Sequence, residues 1–185
     1  MDIIEKPVSL PQEARDHLER YWSLARQFFE EGNYPLASFF AITLIEEVGK
    51  VIILGNKDIS SELDQKGFYD HRRKYTYAVA MTLRVNSRVS RVYGEDESRF
   101  AKWFREGELL KLRNSSLYLE YEEDSVQVPS ECVSRNDSFL LVCMSGEVYG
   151  EIQGYYIGTD PAEWERIIKE VDEFRERNLN DKQST

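Results

Sequence analysis

The chain predicts an all-α fold, a bundle of five or six helices joined mostly by short connections, and three observations carry that reading. Apolar residues from Ala14 to Phe29 recur at helical spacing and make a single stripe. Tyr34 to Leu54 is apolar around most of its circumference, between Gly32-Asn33 and Gly55-Asn56, which is how a helix surrounded by others reads. Near the C-terminus, Asp160, Pro161 and Glu163 form a helix start ahead of Trp164, Ile167, Ile168, Val171 and Phe174.

Taken in order, the first helix is expected after Ser9 as N-cap, with Pro11 in the first turn and Gln12 completing a capping pattern. Its core stripe is Ala14, Leu18, Tyr21, Trp22, Ala25, Phe28 and Phe29, and Gly32-Asn33 ends it. The second helix starts near Tyr34-Pro35 and carries Phe39, Phe40, Ile42, Ile45, Val48, Val51 and Ile52. After an irregular stretch from Lys57 to Tyr69, Asp70 can cap a third helix that begins at His71 and continues through Tyr77, Val79, Ala80, Met81 and Leu83.

Gly94 breaks the chain, and a fourth helix from about Glu95 to Tyr118 aligns Phe100, Trp103, Phe104, Leu110 and Leu117 toward the core. The acidic run Glu122-Glu123-Asp124 and the segment Val126 to Val133, with Pro129, read as a loop containing a short extended piece. From Asp137 to Ile157 glycine recurs at 146, 150, 154 and 158 among large apolar residues. Helix is favoured over hairpin there, because a four-residue glycine period steps only about 40° around a helix and leaves a smooth ridge for a close neighbour. The last helix runs to about Arg177.

With 185 residues the chain is read as one helical domain over 9–177, with an N-terminal extension at 1–8 and a polar tail at 178–185. Cys132 and Cys143 lie eleven apart without a CxxC or a histidine cluster, so neither a disulfide framework nor a zinc site is indicated, and no cofactor is expected. The first residues carry Asp2 and Glu5 and do not read as a secretory signal, and Glu46, Glu47 and Lys50 interrupt the most apolar stretch. A cytoplasmic protein with no membrane association is expected.

A formal charge of −10 argues against a protein that coats duplex nucleic acid, because that affinity depends on neutralising phosphates. The charge is uneven. Between His71 and Arg91 stand Arg72, Arg73, Lys74, Arg84, Arg88 and Arg91 with no Asp or Glu, an island that is either a solvated helix face or an attractor for an anion.

Polar groups within packing-driven helices mark where function is to be sought. Glu46 and Lys50 are four apart in the favourable order for mutual attraction. On a helix so apolar, Glu46 and Glu47 need further partners, and the planar fork of Arg113 suits a carboxylate and equally a phosphate. That pairing is either a structural bridge between helices or a device that orients Arg113 toward a cleft. Asn114 adds donors and an acceptor beside it. Tyr118, five residues after Arg113, falls about 140° away on an ideal helix, so the two share a site only across a groove or where the helix end is distorted. Taken alone, it reads as a core tyrosine. His17 sits on a mixed surface, whereas His71 stands at a helix start beside Asp70 and the basic island.

Together Ile45-Glu46-Glu47-Val48-Gly49-Lys50, Asp70-His71-Arg72-Arg73-Lys74 and Leu112-Arg113-Asn114-Ser115-Ser116-Leu117-Tyr118 resemble the AbiV-type branch of the HEPN superfamily, which is associated with abortive infection, a form of phage defence. The resemblance covers roughly Ser9 to Tyr121. It implies a HEPN-like helical bundle, a groove usually formed by two protomers, and therefore a homodimer. In ribonuclease members an Arg, commonly followed by Asn, precedes a His by a few residues. Those enzymes cleave RNA without a metal: the 2′-hydroxyl attacks the adjacent phosphate, the His moves a proton and the Arg steadies the charge. Carried onto this chain, Arg113 and Asn114 match and Tyr118 stands in the His position. A tyrosine of ordinary pKa near 10 is ionised only about one part in a thousand at neutral pH, so His71 is the better proton carrier if it reaches the groove.

On this reading Arg113, Asn114, Tyr118, His71 and Glu46 are the candidate catalytic residues, and Lys50, Arg72, Arg73 and Lys74 are candidate anion or RNA contacts. RNA and a phage or antitoxin protein are the expected partners. The alternative is a catalytically inactive HEPN module that binds a protein partner or nucleic acid through the same groove.

Overall fold

The structure is a computed structural model that describes residues 10–55, 70–85, 103, 107–122, 125–155 and 161–180. Among them seven helices and one small hairpin follow in order: α1 Gln12–Glu30, α2 Tyr34–Gly55, α3 His71–Val85, α4 Glu108–Ser115, β1 Glu120–Glu122, β2 Ser125–Gln127, α5 Pro129–Cys132, α6 Arg135–Tyr155 and α7 Pro161–Asn180. The fold is all-α, as the periodicity predicts.

The α1 helix buries Leu18, Trp22, Ala25 and Phe29, one residue per turn along the expected stripe. Pro11 occupies its N-cap without a side-chain bond, and Ser9 lies outside the described residues. The chain then turns at Gly32, whose φ of +76° suits a residue lacking Cβ. The Asn33 side chain accepts a hydrogen bond from the Leu36 amide at 3.3 Å and so opens α2.

The α2 helix is the centre of the molecule, packed by α1, α3, α4 and α6. Ala41, Ile42, Leu44 and Ile45 are fully buried in succession, which is possible only because neighbours cover every side. Each large side chain so enclosed stabilises the fold by about 1.5–3 kcal/mol relative to exposure.

The α6 helix settles the described part of that segment, 137–155, in favour of helix, and Ile157 and Gly158 lie outside the described residues. Gly146 faces Trp22 of α1 and Val171 of α7, and Gly150 faces Ile167 and Ile168 of α7. A Cβ at Gly146 would stand 2.5 Å from the Trp22 ring, so this part of the ridge serves internal packing and not a contact between copies. The α7 helix reaches Asn180, three residues past the expected end, and the Asn178 carbonyl accepts a hydrogen bond from Arg135 at 3.1 Å.

Two expectations need correction. The helix proposed for Glu95 to Tyr118 does not run through: Gly107 has φ +79°, α4 starts after it and ends at Ser115. A left-handed residue interrupts the helical hydrogen-bond ladder, and the Arg72 side chain packs against that glycine. Phe100 and Phe104 lie outside the described residues. Around the acidic run, whose Glu123 and Asp124 lie outside the described residues, two short antiparallel strands pair Tyr121 with Val126, and α5 follows with Pro129 in its first turn. Among the described residues no helix is long and apolar enough to cross a membrane.

Candidate functional site

The site is built where α2, α3 and α4 meet, and a glycine sets it up. An added Cβ at Gly49 would lie 2.1 Å from the Lys74 carbonyl oxygen, so α2 and α3 touch backbone to backbone there. One turn earlier on α2 is Glu46, whose side chain is 6 % exposed. The close approach drives the side chains of α3's first turn onto that carboxylate. Asp70 fixes this turn by accepting hydrogen bonds from the amides of Arg72 at 2.9 Å and Arg73 at 3.4 Å, the cap expected from the sequence.

Four groups converge on Glu46. Lys74 Nζ donates to Oε1 at 2.6 Å. On Oε2, the Tyr75 hydroxyl donates at 3.4 Å, His71 Nδ1 stands at 2.9 Å and Arg113 Nε at 3.9 Å. The His71 ring is close but not aligned for a hydrogen bond, so that contact is electrostatic in character. Burial pushes the Glu46 carboxyl up, but the Lys74 hydrogen bond and then His71 outweigh it and hold the group below the usual carboxylate range. Burial first, then the Glu46 charge, raises the Tyr75 phenol, which therefore stays a protonated donor.

The outer part of the cluster differs from its floor. Lys74 is almost fully enclosed, whereas the side chains of His71 and Arg113 are 36 % and 26 % exposed. Arg113 lies over the Phe39 ring at 5.4 Å, and its Nε has no hydrogen-bond partner among the described residues. That nitrogen is itself buried, so only the solvent-facing part of the guanidinium can meet an anion. Tyr21 of α1 lies within electrostatic reach of Glu47, Lys50 and Arg113, and burial, then Glu47, raises its phenol.

The structure brings Glu46, His71 and Arg113 together, with Arg72 and Arg73 exposed beside them. Two other assignments change. Lys74 is buried against Glu46 and is thus unable to serve as a surface contact for RNA. Lys50 bonds Glu47 at 2.5 Å in place of Glu46, because Glu46 is turned inward toward α3.

Asn114 is exposed, and Tyr118 is 63 % exposed in the turn after α4, its amide bonded to the Asn114 carbonyl at 2.9 Å. The helix stops before Tyr118, so the 140° separation of an ideal helix does not apply, and it is not a core tyrosine. Ser115 is buried and donates to the Lys111 carbonyl and to Glu120. The sequence does not single out Tyr75, and it marks Phe39 only as an apolar residue of the second helix and not as the ring beneath Arg113. Tyr75 directly follows a lysine inside an otherwise apolar stripe, which was the available signal that this turn faces inward.

Among the described residues no group of three or more His, Cys, Asp or Glu could hold a metal ion. No curated protein and no solved structure matches the chain. The family model described as AbiV, of HEPN type, matches residues 8–150, a span that includes the Glu46, His71 and Arg113 segments and ends inside α6. With more than half its length matched and an all-α architecture around those segments, the chain belongs to the AbiV family of HEPN proteins.

Proposed function

We propose that the protein acts in abortive infection as a metal-independent endoribonuclease, with Arg113, His71 and Glu46 at its reactive centre. One observation carries this reading: a single buried carboxylate is shared by an imidazole and a guanidinium that both reach solvent. In a purely structural bridge the charged partners would be enclosed together, as Lys74 is.

The chemistry follows from the groups. The RNA 2′-hydroxyl attacks the adjacent phosphorus and the bond from phosphorus to the 5′-oxygen breaks, giving a 2′,3′-cyclic phosphate and a 5′-hydroxyl. One proton must leave the 2′-oxygen and one must reach the 5′-oxygen. With Nδ1 turned to Glu46, His71 has Nε2 for that transfer. Arg113 steadies the charge on the non-bridging oxygens, a role worth about 10²–10³ in rate for one well-placed donor. Exposed Asn114 adds a neutral donor, Tyr118 a hydrogen bond or a stacking surface, and Arg72 and Arg73 attract the phosphate backbone. On this reading the groove is shared by two copies in the cytoplasm.

The second reading is an inactive HEPN module that binds a protein partner or nucleic acid through the same groove. It is favoured by Tyr118, which stands in the position of the family's His and lies out on an exposed turn. Incubating the pure protein with total RNA in EDTA separates the two. Cleavage by wild type that is lost in Arg113→Ala and His71→Ala supports the enzyme. Cleavage unchanged in both variants removes these residues from the mechanism, and no cleavage with phage protection retained in cells supports the binding module.

A further inference from the structure

The flank of α4 turned away from Arg113 carries a separate surface. Glu108, Lys111, Leu112 and Ser115 share one helix face, roughly 150° around the axis from Arg113. They line a cleft of about 580 Å³ closed by the hairpin and α5, with Trp103 at its apolar end and Glu120, Glu131 and Asp137 on its polar side. Strand alternation divides the hairpin: Glu120 and Gln127 are cross-strand partners facing this cleft, so Tyr121 and Val126, the next pair, point outward.

That outward face is bare. Tyr121 is 79 % exposed, Val126 50 % and Val128 39 %. Of the seven large apolar side chains exposed among the described residues, six lie within 117–128, the other being Leu179. Apolar exposure gathered into one short segment marks an interaction surface, whereas scattered residues would not. Among the described residues the sheet has two strands, and a further strand laid beside such a ribbon sends alternate side chains to its two faces.

Charge selects the occupant. Four carboxylates and one lysine line the cleft. A phosphate backbone or an anionic membrane is repelled from such a rim. We infer that this hairpin face docks an extended segment of another protein with alternating apolar and Lys or Arg residues, laid along the ribbon with its cations toward the cleft. The hairpin residues Tyr121, Val126 and Val128 have no part in the Arg113 cluster, so this inference and the nuclease reading stand or fall separately.

The test uses the full chain and a fluorescent synthetic peptide of alternating Lys and Val, with a version carrying Glu for Lys as its control. Anisotropy should show binding of the first and not the second. The double variant Tyr121→Asp/Val126→Asp should raise Kd at least about tenfold, as loss of a central apolar anchor does. Glu13→Lys/Glu165→Lys, at exposed acids on α1 and α7, should leave it within about twofold, as remote surface charges do. Amide exchange on wild type should show protection over 117–128 with peptide bound, which guards against misfolding of the variant, and Arg113→Ala should bind the peptide normally. Equal losses from the hairpin and remote variants would show attraction by net charge alone and overturn the proposal. So would hairpin variants that turn a dimer into a monomer, or that lose affinity for an RNA oligonucleotide and not for the peptide.

Discussion

Two arginines of similar exposure show how differently the two sides of the bundle treat a charge. Arg166, on the α1–α7 seam, is 37 % exposed and saturated: it donates to Glu163 at 2.9 and 3.1 Å, Glu170 at 2.7 Å and Glu19 at 3.0 Å. Arg113, on the α2–α4 seam, has Glu46 at 3.9 Å as its one nearby carboxylate among the described residues, and that carboxylate already serves Lys74. The first arginine fastens two helices. The second has only a distant share of one carboxylate, so the two arginines differ more in their partners than in their exposure.

The same contrast appears in the glycines. At Gly146 the intruding neighbours are side chains, the Trp22 indole and a Val171 methyl, and the contact is apolar. At Gly49 the neighbour is the Lys74 backbone. Backbone contact leaves no room for side chains between the helices at that level, so those flanking it are pressed onto the adjacent turn, where Glu46 waits.

The largest test of the contrast is Glu46→Gln. It leaves Lys74 buried without its counter-charge, and should lower unfolding free energy by about 3–5 kcal/mol in urea titrations. Replacing both, Glu46→Leu with Lys74→Met, should recover most of that loss, and a double variant as unstable as the single one would refute the pairing. The pH dependence has a definite sign. The native Glu46 pKa lies below its ordinary 4.5, so its contribution is complete above about 4.5 and is lost as pH falls through the lower native value. The stability gap between wild type and Glu46→Gln should therefore narrow in acid, and a gap that widens would mean the carboxyl is raised.

Gly49→Ala comes next. Its Cβ would meet a carbonyl that cannot swing aside, so a loss of about 3 kcal/mol is expected, at the upper end for overpacking. Gly146→Ala presses on movable side chains and should cost less; equal losses would show that backbone contact is not special to the α2–α3 seam.

Arg113→Ala should reduce RNA cleavage by about 100-fold, near 2.7 kcal/mol in transition-state terms, with little change in melting temperature. Arg166→Ala should do the reverse, leaving cleavage intact while destabilising by at most about 1 kcal/mol, as exposed pairs do. If the two variants behave alike, the distinction between the arginines fails.

How much of this was legible in the sequence follows the range of the interactions involved. The ends of α2, the Asp70 cap and the helix at Arg135–Tyr155 depend on neighbours within a few residues, and capping chemistry and glycine spacing betray them. The break at Gly107 does not show in the sequence because a lone glycine within a helical pattern is often tolerated; its φ of +79° marks the left-handed turn. The three-residue strands were too short to announce themselves. The fate of Lys74 was hidden because a lysine in a basic run reads as surface, and its burial depends on a contact with Gly49 across 25 positions of chain. Helical spacing offers Lys50 both Glu46 and Glu47, and the tertiary approach of Lys74 to Glu46 leaves Glu47 as its partner.

The contact at Gly49 has one more consequence. Helices locked main chain to main chain cannot slide past each other by small increments, so the first turn of α3 keeps a fixed register over α2. Any shift of the His71 ring along Glu46 would require lifting one helix off the other.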